Sequence, residues 1–464
     1  VHIADKDVRR QPVGDVVVVV PGILGSVLTR GRTIVWSSAR RTLFRNLLKA
    51  GRPVGDLALD PDQFDDSEAG DGVLADSLIP DTHMIPGLWA IDGYSKLAKR
   101  IKRLPGVEEG RNYFEFPYDW RLDNRVAARK LAEDTRDWLR GCRSRNPGAQ
   151  LILVAHSMGG LVSRYFLEVL GGWRDTRALI TIGTPYHGSL QALDFVANGL
   201  KPGVGPVSLA DLTNVVRSLP SVYQLLPTYR CWSKGEGDFV ELRHAGAIPG
   251  VDASRLTKGR AFHEEIAKAA RENARLDEYV SRHYMIDPIA GVNQPTLQSA
   301  SLDGGTVKVM KSYRDLDRDG DGRVMREIAT PDAMIRPCYA NQRHASLQND
   351  DAVITQIEAI LSEPRSALRD IPTVYRFGVD LEDVHPADTP IHVRVTVHQE
   401  VPPLQARLFD SVTEELVGRE PLEPGEDGDL HAHLPAQPTG VYKLIVDAPG
   451  VAPVEDVTCV VSRA

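Results

Sequence analysis

The stretch Leu151–Leu161 reads L-I-L-V-A-H-S-M-G-G-L. Leu151 to Ala155 form an unbroken apolar run, as a parallel strand buried on both faces requires. His156, Ser157, Met158, Gly159 and Gly160 follow, and a helical pattern starts at once. A chain that ends a strand and begins a helix at one serine must bend sharply there. The glycines remove the Cβ atoms that would clash with that bend. Ser157 Oγ is lifted off the sheet and set beside the unpaired N–H groups of a helix N-terminus. This is the G-x-S-x-G nucleophile elbow, with Ala155 as the small residue in the first glycine position. Ser157 is the candidate nucleophile.

Working outward, Val16–Val20 is a second buried strand, followed by P-G-I-L-G-S at Pro21–Ser26. That glycine-rich turn can aim backbone amides at a developing oxyanion, and the Ile23 N–H is the first candidate donor. Helices are expected over Tyr94–Leu104, Arg125–Arg145 and Leu161–Leu170, and strands over Tyr113–Phe116, Arg177–Ile182 and Arg282–Ile286. This alternation predicts a mostly parallel sheet covered on both faces. Two segments break it. Residues 27–92 read as a lid-like insertion, with a basic amphipathic helix over Ser37–Ala50 and a long Asp/Gly/Pro-rich loop over Asp56–Gly87. The basic face suits a packed surface helix or peripheral contact with an anionic membrane. Residues 190–280 read as a cap over the sheet. In F-P-Y-D-W-R, Asp119 and Arg121 are expected to form a buried ion pair that fixes a loop.

After a strand at Thr306–Met310 comes D-L-D-R-D-G-D-G-R-V, Asp315–Val324. Asp315, Asp317, Asp319 and Gly320 match the first half of an EF-hand loop, but position 12 is Arg326 where a bidentate Glu belongs. Calcium is therefore disfavoured here, although still open. The competing expectation is that one aspartate of the cluster is the acid of a Ser–Asp–His set, in the order this architecture uses. His156 lies inside the elbow and should point away from Ser157. His187, His263 and His283 precede the cluster. His344 follows it, just before a helix over Asp351–Leu361, and is the candidate base.

Composition bounds the rest. The chain is 42% hydrophobic and 25% charged, as in a globular protein of two or three domains. Residues 366–464 hold 7 Lys/Arg against 17 Asp/Glu, whereas the preceding part is nearly balanced, so a domain boundary is expected near 365. Neither part is basic enough for nucleic acid. In the tail, Ile391, Val393, Val395 and Val397 alternate with polar residues. Similar short stretches at Leu404–Phe409, Val441–Val446 and Val457–Val461 predict an all-β, sandwich-like accessory domain of unknown partner. Cys142, Cys231, Cys338 and Cys459 are widely spaced, without a C-x-x-C pair, and read as free thiols. With no signal-like segment at the start, a cytoplasmic location is expected. A leader removed ahead of Val1 is the alternative.

Taken together, V-V-P-G-I-L-G-S, F-P-Y-D-W-R, A-H-S-M-G-G, I-G-T-P-Y-H-G-S, D-G-D-G-R-V and the late His344 resemble the lecithin:cholesterol acyltransferase family. The resemblance spans roughly residues 16–360 and implies an α/β-hydrolase fold over 1–365. It implies Ser157 as nucleophile, Asp321 as acid, His344 as base, and the Ile23 and Met158 amides as the oxyanion hole. It further implies acyl transfer from a lipid ester to water or an alcohol, without metal or cofactor. The departures are the missing lid cysteines between Val27 and Gly141, Arg323 where the family has Thr, and the tail beyond 365. A binding or effector protein targeted by that tail is the expectation from another class.

Overall fold

The valine run forms strand β1 (Val16–Val20), every residue of it buried. Around it lie β2 (Tyr113–Glu115), β3 (Leu151–His156), β4 (Thr176–Ile182), β5 (Met285–Gly291) and β6 (Cys338–Ala340). The computed structural model describes residues 11–37, 57–60, 70–80, 83–85, 89–200, 203–204, 207–208, 211–282, 284–331, 335, 337–362, 375–397, 399–449 and 451–461. The six strands pair in the order β6-β5-β4-β3-β1-β2, all parallel. Val16 to Val20 register against Leu151 to Ala155. Strands with neighbours on both sides and helices on both faces have no wet surface, which is why β1 and β3 are apolar without alternation.

Helix α1 (Asn124–Arg143) starts where the Asp123 carboxylate accepts the Arg125 N–H. It buries Ala127, Ala128, Leu131, Thr135, Leu139 and Cys142, a stripe at helical spacing. Helix α2 (Met158–Glu168) leaves directly from the elbow and is buried nearly throughout. Because all six strands point the same way, their C-terminal ends open on one edge. That is where an α/β sheet gathers its functional loops.

The insertions are more ordered than composition indicates. Ser26–Arg30 pairs with Thr33–Trp36 and with Val73–Leu78 in a three-stranded sheet, and His83–Ile85 pairs with Trp89–Ile91. The long loop expected over Asp56–Gly87 is therefore interrupted by strands. Val73–Leu78 pairs with a segment more than forty residues earlier, and its Asp and Ser mask the alternation a strand would display. Apart from Ser37, the amphipathic helix expected over Ser37–Ala50 lies outside the described residues. In the cap, Leu190–Asn198 and Ala253–Asn273 are helices. Trp232–Ser233 and Phe239–Val240 join Ser299–Asp303 and Thr306–Met310 in one four-stranded sheet. Strand β5 runs further than Arg282–Ile286, through Pro288 to Gly291. A proline inside a central strand is the cue that hides it.

Residues 375–461 form two sheets, one of four strands and one of five. Between them lies a core that includes Phe377, Val379, Ile391, Val393, Leu408 and Leu444. Ile391, Val393 and Val395 are fully buried while His392 is exposed, the period of two that a half-buried strand requires. All four cysteines are free and buried. Among the described residues no helix is long and apolar enough to cross a membrane.

Candidate active site

The site starts with backbone strain. Ser157 has φ 51° and ψ −124°, a conformation an L-residue rarely adopts. It is held there from three sides. Its N–H donates to the Ile182 carbonyl at 2.8 Å, and its carbonyl accepts the Gly160 N–H and the Thr184 hydroxyl, each at 3.0 Å. The two glycines after it are required by close approach. A Cβ on Gly159 would sit 2.4 Å from the Pro21 carbonyl oxygen, and one on Gly160 would sit 2.1 Å from Thr184 Oγ1.

The turn after β1 lies against this elbow. Tyr118 donates its hydroxyl to the Pro21 carbonyl at 2.9 Å, the Tyr118 N–H donates to Ser26 Oγ at 3.0 Å, and the Trp120 indole donates to the Ser26 carbonyl at 3.3 Å. The F-P-Y-D-W-R segment thus braces the turn from below. Arg121, fully buried, is clamped to Asp119 at 2.7 Å and to Asp71 at 2.9 Å, the ion pair expected from sequence with one more carboxylate. Leu24 takes a positive φ of 63°, which swings the turn around the Ile23 amide. The Met158 N–H is the first of α2 and has no acceptor within the helix. Among the described residues neither the Ile23 nor the Met158 amide makes a hydrogen bond.

Asp321 and His344 come from the loops after β5 and β6. His344 Nε2 lies 2.9 Å from Ser157 Oγ, and His344 Nδ1 lies 2.7 Å from Asp321 Oδ2. The second oxygen, Asp321 Oδ1, accepts the N–H groups of Arg323 at 2.9 Å and Val324 at 2.7 Å. The His344 N–H also donates to the Asp321 carbonyl at 2.8 Å. All three residues are buried, at 5%, 1% and 4% exposure for Ser157, Asp321 and His344, so these contacts are screened little by water. Gly183 makes room for the pair: it has φ +59°, and a Cβ there would lie 3.0 Å from His344 Nδ1.

One side chain at the site, Tyr94, carried no sequence signal, and it joins His156 to the turn. Tyr94 accepts the Gly22 N–H at 2.8 Å and contacts His156 Nδ1 at 2.9 Å. His156 Nε2 is 3.2 Å from the His344 carbonyl oxygen. A carbonyl only accepts, so Nε2 carries the proton and Nδ1 takes one from Tyr94. Burial, then the nearby His344, push the His156 pKa down to about 3, so the ring is neutral. The chain Gly22–Tyr94–His156–His344 ties the turn to the histidine loop. His156 points away from Ser157 Oγ, as its place in the elbow predicts, yet it is structurally occupied.

Of the aspartate cluster, Asp321 alone faces His344. Asp317 Oδ1 accepts the Gln298 amide at 2.5 Å and the Asp319 N–H at 2.7 Å. Asp319 accepts the N–H groups of Gly320 and Asn293. Among the described residues no three His, Cys, Asp or Glu side chains converge in a way that would hold a metal ion. Ser157 is in the wall of none of three surface cavities, which lie beside Lys96 and Lys443, beside Arg136 and Phe166, and beside Asp71 and Arg129.

A sequence model of the lecithin:cholesterol acyltransferase family matches residues 88–319, half of the chain. The human protein named lysosomal phospholipase A and acyltransferase is 30% identical over 140 residues, 28% of this chain and 31% of that one. Its bovine counterpart is 30% identical over 137 residues, 28% of this chain and 32% of that one. The Arabidopsis thaliana protein named phospholipase A(1) LCAT3 is 26% identical over 175 residues, 32% of this chain and 37% of that one. The matches span about a third of the length of these relatives. A chain of the Tle4–Tli4 complex aligns with TM-score 0.46 and 14% identity over 76% of this chain and 99% of that one. The mature Bacillus licheniformis lipase BlEst2 aligns with TM-score 0.32 and 16% identity over 77% and 95%. With half its length matched by the family model, including the whole elbow, this chain belongs to the lecithin:cholesterol acyltransferase family.

Proposed function

We propose that the protein is a serine-dependent acyl-ester hydrolase or acyltransferase acting on lipids, of phospholipase, lysophospholipase or lipase type. Ser157 is the nucleophile, His344 the general base and Asp321 its acid partner. The observation that carries this is the unbroken contact chain from Ser157 Oγ to His344 Nε2 at 2.9 Å and from His344 Nδ1 to Asp321 Oδ2 at 2.7 Å. Nδ1–H donates to the carboxylate, so Nε2 carries the lone pair that accepts the Ser157 proton.

The proposed reaction has two steps. Ser157 Oγ attacks the ester carbonyl as His344 takes its proton, and the carbonyl oxygen becomes an oxyanion facing the Ile23 and Met158 amides. One such donor is worth about 2.7–4 kcal/mol in a comparable enzyme. The intermediate collapses as the imidazolium returns the proton to the leaving alkoxide, giving an acyl-Ser157 ester and a free alcohol. Water or an acceptor alcohol then repeats the sequence in reverse and frees the serine. The hydrolase and acyltransferase readings share every residue and differ only in which hydroxyl enters. The relatives' names, phospholipase A and acyltransferase, support a lipid substrate class.

Fluorophosphonate labelling tests the nucleophile. Wild type is expected to label and Ser157→Ala to lose both labelling and ester hydrolysis; full labelling of that variant overturns the assignment. Mass spectrometry of products from a mixed-lipid extract, with and without added alcohols, separates free fatty acid from new esters.

A further inference from the structure

His344 sits in a turn between β6 and a short 3-10 helix, Leu347–Asn349, which leads into the helix Asp351–Ser362. The residues on both sides of it are bound by the C-terminal sheets. Gln342, 1% exposed, accepts the Glu455 N–H at 3.0 Å and donates to the Pro453 carbonyl at 3.4 Å. Arg343 Nε lies 3.0 Å from Asp456 Oδ2, an ion-pair contact off the hydrogen-bond direction, and the same guanidinium donates to the Val379 carbonyl. Ala345 packs into an apolar cluster with Val384, Val457, Cys459 and Val461.

The acid loop is gripped by the same unit. Gln294 bridges to the Asp321 backbone, and its side chain accepts the Val379 N–H at 3.1 Å and donates to the Phe377 carbonyl at 3.3 Å. Between these two residues, Gly378 approaches so closely that a Cβ would lie 2.3 Å from the Asn293 carbonyl oxygen. Arg323, two residues from the acid, reaches Asp383 at 3.5 Å. Domains of one chain are expected to move relative to one another unless their interface is extensive. Here the contacts, buried at Gln294 and part-buried at Gln342, Arg343 and Arg323, converge on the two loops that carry Asp321 and His344.

We propose that the C-terminal sandwich is a built-in brace of the acid–base pair, with Gln342, Arg343 and Asp456 as positioning residues that hold His344 in reach of Ser157 Oγ. This rests on the assignment of His344 as base. A catalytic group must be held to within about 0.5 Å of its working position, and a neighbouring displacement of about 1 Å can cost about 10²-fold in rate. Burial pushes the Asp456 carboxyl up to about 6 against the pull of Arg343, so this contact is costly to maintain.

The test uses the full chain and two variants. Replacing both members of a buried ion pair with apolar residues is often neutral for folding, whereas removing one is not. The double variant Arg343→Met/Asp456→Met is therefore expected to melt near the wild-type temperature. Its kcat on a soluble short-chain ester should fall about 10²-fold with KM nearly unchanged, and its fluorophosphonate labelling rate should fall in parallel. Gln342→Ala removes two uncharged anchors and should lower kcat about tenfold in the same pattern, which keeps the proposal testable if the double variant does not fold. Arg343→Lys, which keeps the charge opposite Asp456, should recover most of the rate. Folded variants with wild-type kcat and labelling rate overturn the brace. His344→Gln serves as the reference: if it stays active, the assignment of the base has failed instead.

Discussion

Ser157 and its neighbouring amides are held by chain at the ends of β1, β3 and β4, whereas Asp321 and His344 are held by segments that arrive from far away in sequence. On the serine side, the strain at Ser157 is balanced by bonds to Ile182, Gly160 and Thr184 and by glycines packed against Pro21 and Thr184. All of these lie at the ends of adjacent strands. On the acid–base side, the supports are Gln294, Arg323 and Arg343, and their partners lie in residues 377–456. Ser157, the proposed nucleophile, rests on a turn that forms with the sheet. His344, the proposed base, is flanked by residues bound to a second set of sheets. Damage to the first half should appear as lost folding, and damage to the second as lost rate in a folded protein.

Asp321→Asn probes this difference most strongly. It leaves the geometry nearly intact but favours the wrong His344 tautomer, so kcat should fall about 10⁴-fold, as in a comparable triad, with the melting temperature little changed. Steady-state kinetics and a thermal melt together check it, and a loss below tenfold would move the acid elsewhere.

The pH dependence of folding should separate the halves next. His156 has a pKa of about 3 in the fold and 6.5 as its ordinary value. The unfolded chain therefore binds the proton first, and the stability present above pH 6.5 is lost as pH falls from 6.5 toward 3. Between pH 7 and 5 this costs about 2 kcal/mol, which His156→Gln should abolish in urea titrations at the two pH values. Asp456 behaves oppositely. Its carboxyl, raised from 3.8 to about 6, opposes folding above pH 6 and is relieved as pH falls through 6 toward 3.8. Asp456→Asn should therefore steepen the acid loss, by about 1 kcal/mol over the same interval. An unchanged slope in either variant contradicts the burial argument.

Tyr94→Phe should act on both halves at once, because the hydroxyl joins Gly22 to His156. Leaving a buried acceptor and a buried N–H unpaired costs about 1–3 kcal/mol. We expect roughly a tenfold loss in kcat, measured on a soluble ester, and wild-type kinetics would remove the link between the two loops. The smallest effect belongs to Asp317→Asn. Among the described residues its carboxylate accepts only the Gln298 amide and the Asp319 N–H, and a neutral oxygen can accept both. Its kcat should stay within about threefold of wild type, and a loss equal to that of Asp321→Asn would mean that the wrong aspartate faces His344.

How much was legible follows the same division. Strands β1 and β3, the elbow and the Pro21–Ser26 turn can be read from Val16–Val20 and Leu151–Gly160 because neighbours in sequence dictate their geometry. Asp321 could not be singled out from Asp315, Asp317 and Asp319 by pattern alone; the resemblance named it. Asp317 and Asp319 are used up by local bonds, and that is visible only once the loop is folded. The family match itself ends at residue 319, short of both Asp321 and His344. Strand Val73–Leu78 escaped notice because its pairing partner is remote. Pro288 obscured β5, and nothing near Asp92-Gly93-Tyr94 marks Tyr94 as a partner of His156.

By itself the sequence determined a parallel sheet with a strained serine at one strand end, an aspartate cluster and a histidine in the right order, and an acidic all-β tail. Periodicity and turn chemistry act over a few residues, so they leave a local trace. Only the tertiary structure brought Asp321 against His344, showed that Tyr94 and His156 lock the turn to the histidine loop, and showed that the acidic tail grips the loops on either side of the site. Those contacts join residues from 23 positions apart, His344 and Asp321, to 188 apart, His156 and His344. Pairings of that range are set by how the folded layers pack, and no local pattern records them.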